Sequence, residues 1–342
     1  MRLLSFFTKL LSFLPPEVSH NLALKSLDII YKTGFLKLFI KLPLQDKQSF
    51  TKPLKHLAFS KKMSNKLGIA AGLDKNGDHI DSLASLGIGF IEVGTVTPRP
   101  QSGNDKPRLF RDKKNKALVN RMGFNNKGVD YLIEKVKKRK TKTPLGISIG
   151  KNFDTPIDEA YKDYLKCLDK VYAYSDYVAV NISSPNTVNL RDLSSKKYFD
   201  DLLGKLKEMQ LIKSKEYNYV PLFIKISPDE SEEAILNICN SIKTNSIDGL
   251  ICTNTSLKDN SFGGNGGISG APLIESSTEA LKKVRSMMGE DFPIIASGGV
   301  MTVQDYENKI KSGATLVQIY TGFIYSGPKL IEDIIISESI KP

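Results

Sequence analysis

Eight short apolar runs, each ending in small or polar residues and followed by a longer segment of helical periodicity, constrain this chain more than any other feature. They are LGIAAG (residues 67 to 72), FIEVGTV (90 to 96), LGISIG (145 to 150), YVAVNIS (177 to 183), PLFIKIS (221 to 227), GLICTN (249 to 254), FPIIASGG (292 to 299) and LVQIYTG (316 to 322). Helical patterns fall at 81–86, 129–138, 158–172, 198–209, 232–242, 278–287, 303–310 and 328–336. This alternation predicts an α/β fold with a parallel sheet, because parallel strands need a crossover and the helix that makes it covers the sheet. Eight such units fit a closed (β/α)8 TIM barrel, which takes ~250 residues plus insertions. A doubly wound open sheet uses the same alternation and is the second reading.

In a barrel the C-terminal strand ends form one rim, and catalytic groups sit there. Here the ends carry Asp74 with Lys75, Thr95, Ser148, Asn181 with Ser184, Lys225, Thr253 with Asn254, Ser297 with Gly298 and Gly299, and Tyr320 with Thr321. Singly, each reads as a structural hydroxyl or a surface lysine; eight in one ring read as a ligand site. YVAVNISSPNTVNL (177 to 190) is the densest: a covered strand runs straight into Asn181, Ser183, Ser184, Asn186 and Thr187, all needing partners if buried. Pro185 holds Ser184 out of helical geometry. SGGV (297 to 300) and YTG (320 to 322) end strands seven and eight, where barrels hold phosphate on backbone N–H groups and glycine allows close approach. AAGLDKNG (70 to 77) offers small residues against which a flat ring can lie. The combination points to a phosphorylated planar cofactor across the mouth, with Lys225 offsetting negative charge on the reduced ring.

A net charge of +12 favours anionic partners. The lysines of EKVKKRKTK (134 to 142) fall at a helix end, where they complement the dipole, and no aromatic residues interleave with them. Nucleic-acid binding is therefore not expected. Three separated cysteines, no CxxC pair and three histidines argue against a metal site or disulfide framework and fit reducing, cytoplasmic surroundings.

The first 45 residues read as a separate helical segment, with 46–342 as the catalytic barrel. Leu3, Phe6, Phe7, Leu10 and Leu14 recur at helical spacing until Pro15 and Pro16 break the pattern. A second helical pattern runs from Glu17 to a C-cap at Gly34, and FLKLFIKLP (35 to 43) continues the apolar-plus-lysine character. Through Gln45 six basic residues face two acidic ones. Lys9 interrupts any signal-like stretch, and no uncharged run approaches the ~18 residues needed to span a bilayer. Such a segment can pack on the main domain as a helical pair or lie in a membrane interface with its lysines near anionic headgroups; its phenylalanine density and terminal place favour the interface, so a peripheral place on the cytoplasmic side of the inner membrane is expected.

AAGLDKNG (70 to 77), IEVGTVTPRPQSGNDKPRLFR (91 to 111), NRMGFNN (120 to 126), NISSPNT (181 to 187), TNT (253 to 255), GGISG (266 to 270) and LVQIYTGF (316 to 323) resemble, in order and spacing, the motifs of class 2 dihydroorotate dehydrogenases. The resemblance covers nearly the whole chain. It implies a membrane-associated, quinone-dependent enzyme that oxidises (S)-dihydroorotate to orotate in pyrimidine biosynthesis through FMN. By this likeness FMN is held by Ala71, Gly72, Leu73, Asp74, Lys75, Thr95, Ser148, Asn181, Lys225, Thr253, Gly270, Gly299, Tyr320 and Thr321. The substrate is held by Lys75, Asn120, Asn181, Asn186, Asn254 and Thr255, under a loop containing Arg121, Met122, Gly123 and Phe124. Ser184 matches the general base, which takes the C5 proton while hydride leaves C6, and its proton is relayed near Thr187 and Phe124. A planar, carboxylated diamide does need a cation and several amides, so the chemistry agrees.

Class 1 relatives use a cysteine base and lack the apolar N-terminal extension, and none of Cys167, Cys239 or Cys252 holds an active-site loop position. One residue departs from the family pattern: LGISIGKN carries Ser148 where asparagine is usual, losing the amide's reach. The rival readings are another FMN barrel oxidoreductase, such as a class 1-like or dihydropyrimidine dehydrogenase, and a membrane-attached ligand-binding barrel without turnover. No metal is expected.

Overall fold

Glycine facing aromatic rings sets the interior on which the eight runs close. The computed structural model describes residues 1–36, 63–186, 196–258 and 266–340. Its strands are β1 (Leu67–Ile69), β2 (Phe90–Val96), β3 (Leu109–Asp112), β4 (Ala117–Asn120), β5 (Leu145–Ile149), β6 (Tyr177–Asn181), β7 (Leu222–Ile226), β8 (Gly249–Cys252), β9 (Gly267–Gly270), β10 (Ile294–Ser297) and β11 (Leu316–Ile319). β1, β2, β5, β6, β7, β8, β10 and β11 form a closed parallel barrel. β1 pairs with both β2 and β11, which rules out the open sheet.

Inside the barrel, Phe90, Tyr177 and Phe223 pack edge to face, with centroids 6.3 and 5.5 Å apart. Each ring occupies space left by a glycine on a neighbouring strand. A Cβ on Gly68, Gly146 or Gly249 would come within 2.4, 2.1 or 2.3 Å of the Phe90, Tyr177 or Phe223 ring respectively. This interleaving of bulky and absent side chains fills the barrel as a packed core rather than a pore. The glycines and small residues at 70–72, 298–299 and 321–322 lie past the strand ladders, free to shape the mouth.

The three-stranded antiparallel sheet β3-β4-β9 was not expected from the sequence. Each strand has four residues; β3 ends in Arg111 and Asp112, and β9 is GISG, with glycine at both ends. Nothing in such short segments shows the alternation that marks a strand.

The N-terminal segment forms helices α1 (Arg2–Leu11) and α2 (Pro16–Lys32). Pro16 takes the first helical position of α2, where its missing N–H costs nothing, and Gly34 at φ +78° ends the turn beyond it. α1 packs on the helices Thr321–Ser326 and Pro328–Ile340, and α2 on β3 and the helix Ile80–Ala84. Asp28 of α2 accepts from Ser82 Oγ at 2.5 Å and pairs with His79 Nδ1 at 2.7 Å. Phe6, Phe7, Phe13 and Ile29 remain exposed, Phe13 at 80%. Most of the FLKLFIKLP run lies outside the described residues. No helix among the described residues is long and apolar enough to cross a membrane.

Candidate active site

The polar strand ends converge on one cleft of about 1010 Å³ at the C-terminal mouth of the barrel. Ala71, Gly72 and Lys75 enter it after β1, Thr95 from β2, Asn181, Ser184 and Asn186 from the end of β6, and Lys225 from β7. Thr253, Asn254 and Thr255 follow β8, Gly299 follows β10, and Tyr320 and Thr321 follow β11. The small sheet closes the cleft with Asn120 and Gly270, and the chain after β4 adds Met122, Gly123 and Phe124.

A chain of amides fixes the polar wall. Asn181 Nδ2 donates to Thr95 Oγ1 at 3.1 Å, and Asn254 Nδ2 donates to Asn181 Oδ1 and Ser183 Oγ, both at 3.1 Å. Asn186 Nδ2 donates to Asn120 Oδ1 at 2.9 Å, and Asn120 Nδ2 to the Gly267 carbonyl at 3.1 Å. Each amide keeps further donor or acceptor capacity for a ligand while its plane is held. Ser184 is buried, and its Oγ accepts from the Asn186 N–H at 3.4 Å.

Two lysines face this wall. Lys75 Nζ donates to the Gly72 carbonyl at 3.2 Å; burial, with Arg108 adding, pushes its ammonium down to about 8, against opposition from Glu17 and Asp74. Burial also lowers Lys225, with the charge of Glu92 opposing. At the far end Gly298 and Gly299 adopt φ +112° and +81°, and a Cβ on Gly299 would fall 2.3 Å from Ile274 Cα. The helix Ile274–Met288 begins there, so its dipole and the N–H groups of the glycine turn favour an anion. Small residues, two cations and an anion-seeking turn fit a flat ring with an anionic tail.

Four of the anticipated ligand residues do not line the cleft. Leu73 turns into a second cavity, described below. Asp74 closes a turn instead, accepting from the N–H groups of Asp78 at 3.0 Å and His79 at 2.7 Å. Arg121, one position past Asn120, lies over the Phe110 ring at 5.1 Å and donates to the Pro107 carbonyl. Ser148 is fully buried with its Oγ 2.8 Å from Thr95 Oγ1, so the short side chain reaches the cleft only through Thr95. Thr187 lies outside the described residues.

Ser269, Leu273, Met301 and Gln318 also line the cleft and were not anticipated. Ser269 Oγ lies 2.8 Å from Thr321 Oγ1, joining β9 to the end of β11, and Gln318 sits at an inward position of the LVQIY run that could have flagged it. Arg108 was also missed. It is buried, donates to the carbonyls of Ser102 at 2.5 Å and Asn104 at 3.0 Å, and meets Glu17 of α2 at 2.9 Å. Burial alone would raise the Glu17 carboxyl, but Arg108 and Lys106 hold it below the usual range. The Asn104 N–H donates to the Met122 carbonyl at 3.2 Å, so this pair ties α2 to the loop over the cleft.

The second cavity, about 1510 Å³, lies between the two N-terminal helices and the barrel. Leu10, Leu22, Leu27 and Ile30 face Leu109, Leu118, Phe323 and Ile324 across it. Its polar groups include Arg111, which donates to the Ser12 carbonyl at 2.7 Å, and His20. Burial, together with the charges of Lys75 and His79, pushes the His20 imidazole down to about 3, against a backbone hydrogen bond at Leu73. Gly72 lines the first cleft and Leu73 the second, and Gly322 and Phe323 divide in the same way, so the two cavities are neighbours.

The dihydroorotate dehydrogenase family profile matches residues 54–339. The chain is 50% identical to the dihydroorotate dehydrogenase (quinone) of Pectobacterium atrosepticum, across 96% of this chain and 97% of that one. It is 48% identical to the enzyme of the same name from Acinetobacter baylyi, across 97% and 98%. A crystal structure of DHODH from Eimeria tenella in complex with ferulenol superposes with a TM-score of 0.81 at 30% identity, covering 94% of this chain and 90% of that one. The ligand-free form from the same organism gives the same TM-score at 31% identity, covering 94% and 93%. With a matching profile, near full-length relatives and the same closed barrel, the chain belongs to the dihydroorotate dehydrogenase family of flavin-dependent oxidoreductases.

Proposed function

We propose that the protein oxidises (S)-dihydroorotate to orotate in pyrimidine biosynthesis, with FMN in the barrel cleft and a membrane quinone in the apolar cavity behind it. The observation that carries this reading is the pair of cavities: one holds a serine, lysines and amides, the other is mainly apolar, and adjacent residues, Gly72 with Leu73 and Gly322 with Phe323, line one each. FMN, when bound, supplies the acceptor for the hydride and carries the electrons between the two sites.

Lys75 neutralises the substrate carboxylate, while Asn120, Asn181, Asn186 and Asn254 hold the ring by its amides. Ser184 Oγ takes the C5 proton; a serine hydroxyl is a weak base, so this step depends on position and on passing its proton onward. Met122 and Phe124 cover the cleft and keep water from the reacting carbons. The glycine turn at 298–299 would hold the FMN phosphate, and Lys225 would offset negative charge on the reduced ring. A cysteine base finds no support: Cys167, Cys239 and Cys252 are buried outside the cleft, with their thiols pushed up by burial.

Residues 1–45 form the membrane and quinone-access segment of a barrel that occupies 46–342. The exposed apolar residues of α1, with Lys113 Nζ 4.4 Å from the Phe13 ring centroid, suit shallow insertion beside anionic headgroups on the cytoplasmic side of the inner membrane. His20, neutral at physiological pH, and Arg111 supply polar contacts for a quinone carbonyl.

The pH dependence follows from Lys75. As pH rises through about 8 the free protein loses this ammonium, so kcat/KM for dihydroorotate falls above that value. kcat itself rises with pH, because proton release from Ser184 becomes easier. A kcat/KM profile that stays flat to pH ~10, well past this value, removes Lys75 as the carboxylate partner. The acceptor is tested by turnover with a soluble quinone analogue, fumarate or NAD. Reduction of the quinone alone is expected; comparable turnover with fumarate or NAD overturns the quinone assignment and favours a class 1-like enzyme.

A further inference from the structure

Below the cleft floor, polar side chains from three strands meet inside the otherwise apolar barrel. Glu92 of β2 is fully buried, and its Oε2 accepts from Tyr177 Oη and Gln318 Nε2, both at 2.8 Å. Gln318 Nε2 lies 3.1 Å from Tyr177 Oη and also donates to it. Glu92 Oε1 has no hydrogen-bond donor among the described residues. A carboxylate held this deep is costly unless a cation answers it.

The alternation of the strands turns one lysine into the same interior. Phe90 and Glu92 share the inward face of β2, as Phe223 and Lys225 share that of β7, and the Lys225 side chain lines the cleft. Lys225 lies beside Asn181 in the β6–β7 register. The other inward groups around it are uncharged: Asn181 of β6, Ser148 of β5, Thr253 after β8 and Gln318 of β11. Tyr177 stays a neutral phenol because burial and then the adjacent Glu92 push it up, and burial pushes Tyr320, which lines the cleft with Lys225 and Lys75, up to about 12. Burial drives Lys225 towards its neutral form, and the charge opposing this is that of Glu92.

We propose that Glu92 is a positioning residue whose buried charge keeps Lys225 an ammonium, and that through Lys225 it sets the preference of the cleft for reduced over oxidised FMN. The proposal rests on the reading of the cleft as an FMN site. Glu92 is buried in the barrel and does not line the cleft, and its own charge, acting directly, would disfavour an anionic reduced flavin there. Acting through Lys225 it does the reverse, because the ammonium borders the cleft and Glu92 sits deeper. The two effects differ in sign, which makes the assignment testable.

The test uses the holoprotein with Glu92→Gln, a substitution that keeps an oxygen for Tyr177 Oη and Gln318 Nε2. The readouts are the midpoint potential of the bound flavin and the dissociation constants of oxidised and reduced FMN. The proposal predicts that the ratio of affinities, reduced over oxidised, falls about tenfold, or ~30 mV for the two-electron couple. Lys225→Met gives a similar fall and the double variant little more, since both act through one ammonium. Glu92→Asp, which keeps the charge, leaves the ratio within about twofold and provides a second folded variant should the Gln protein be unstable. A potential that rises or is unchanged in Glu92→Gln, or additive losses in the double variant, overturns the proposal. A wild-type protein that binds no FMN overturns the reading of the cleft as well, so the two failures are distinguishable.

Discussion

Replacing Ser184 with alanine is expected to slow reduction of the bound flavin by dihydroorotate about 10²–10⁴-fold, the range for removing a positioned general base. Flavin binding should be unaffected. The reason is local: Ser184 lies in the cleft wall with its Oγ held by the Asn186 N–H. The amide chain through Asn181, Asn254 and Thr95 does not run through that hydroxyl. Alanine therefore removes the proton acceptor and leaves the polar wall standing. Stopped-flow mixing of the yellow variant with dihydroorotate under anaerobic conditions measures the step alone. Near wild-type flavin reduction would remove Ser184 from the mechanism.

Removing residues 1–45 should abolish quinone reduction and vesicle binding while dihydroorotate still bleaches the flavin. α1 and α2 form one whole wall of the apolar cavity, whereas no residue of either helix lines the barrel cleft. The two half-reactions thus separate between the two cavities. The truncation also strips Glu17 from Arg108 and Asp28 from His79 and Ser82. Leaving buried Arg108 without its carboxylate costs about 1–3 kcal/mol, so a lower denaturation midpoint should accompany the loss of quinone turnover. Co-sedimentation with anionic vesicles and separate assays of each half-reaction decide the matter. A truncated protein that still binds vesicles contradicts the membrane role of this segment.

The barrel was legible because its strands are covered on both faces and read as continuous apolar runs such as YVAV and GLIC. Closure was not, since strand counting is blind to whether β1 meets β11. The cleft was legible where a polar residue followed an apolar run directly, as with Asn181 and Lys225. It was less so where backbone direction decides which way a side chain points. Asn120 and Arg121 are adjacent, yet one faces the cleft and the other lies on Phe110. Gly72 and Leu73 likewise divide between two cavities. Asp74 looked like a ligand, but its carboxylate is consumed by the N–H groups of the turn it closes. The apolar cavity has no local sequence signal, because it is the space between two amphipathic helices and the barrel.

Anaerobic addition of dihydroorotate to the purified protein, with the visible flavin absorbance followed, tests cofactor, substrate and chemistry together. A yellow protein should bleach and yield about one orotate for each flavin reduced, as expected for two-electron transfer to a single cofactor. A colourless preparation that takes up no FMN, or a yellow one whose absorbance dihydroorotate leaves unchanged, would contradict the proposed function.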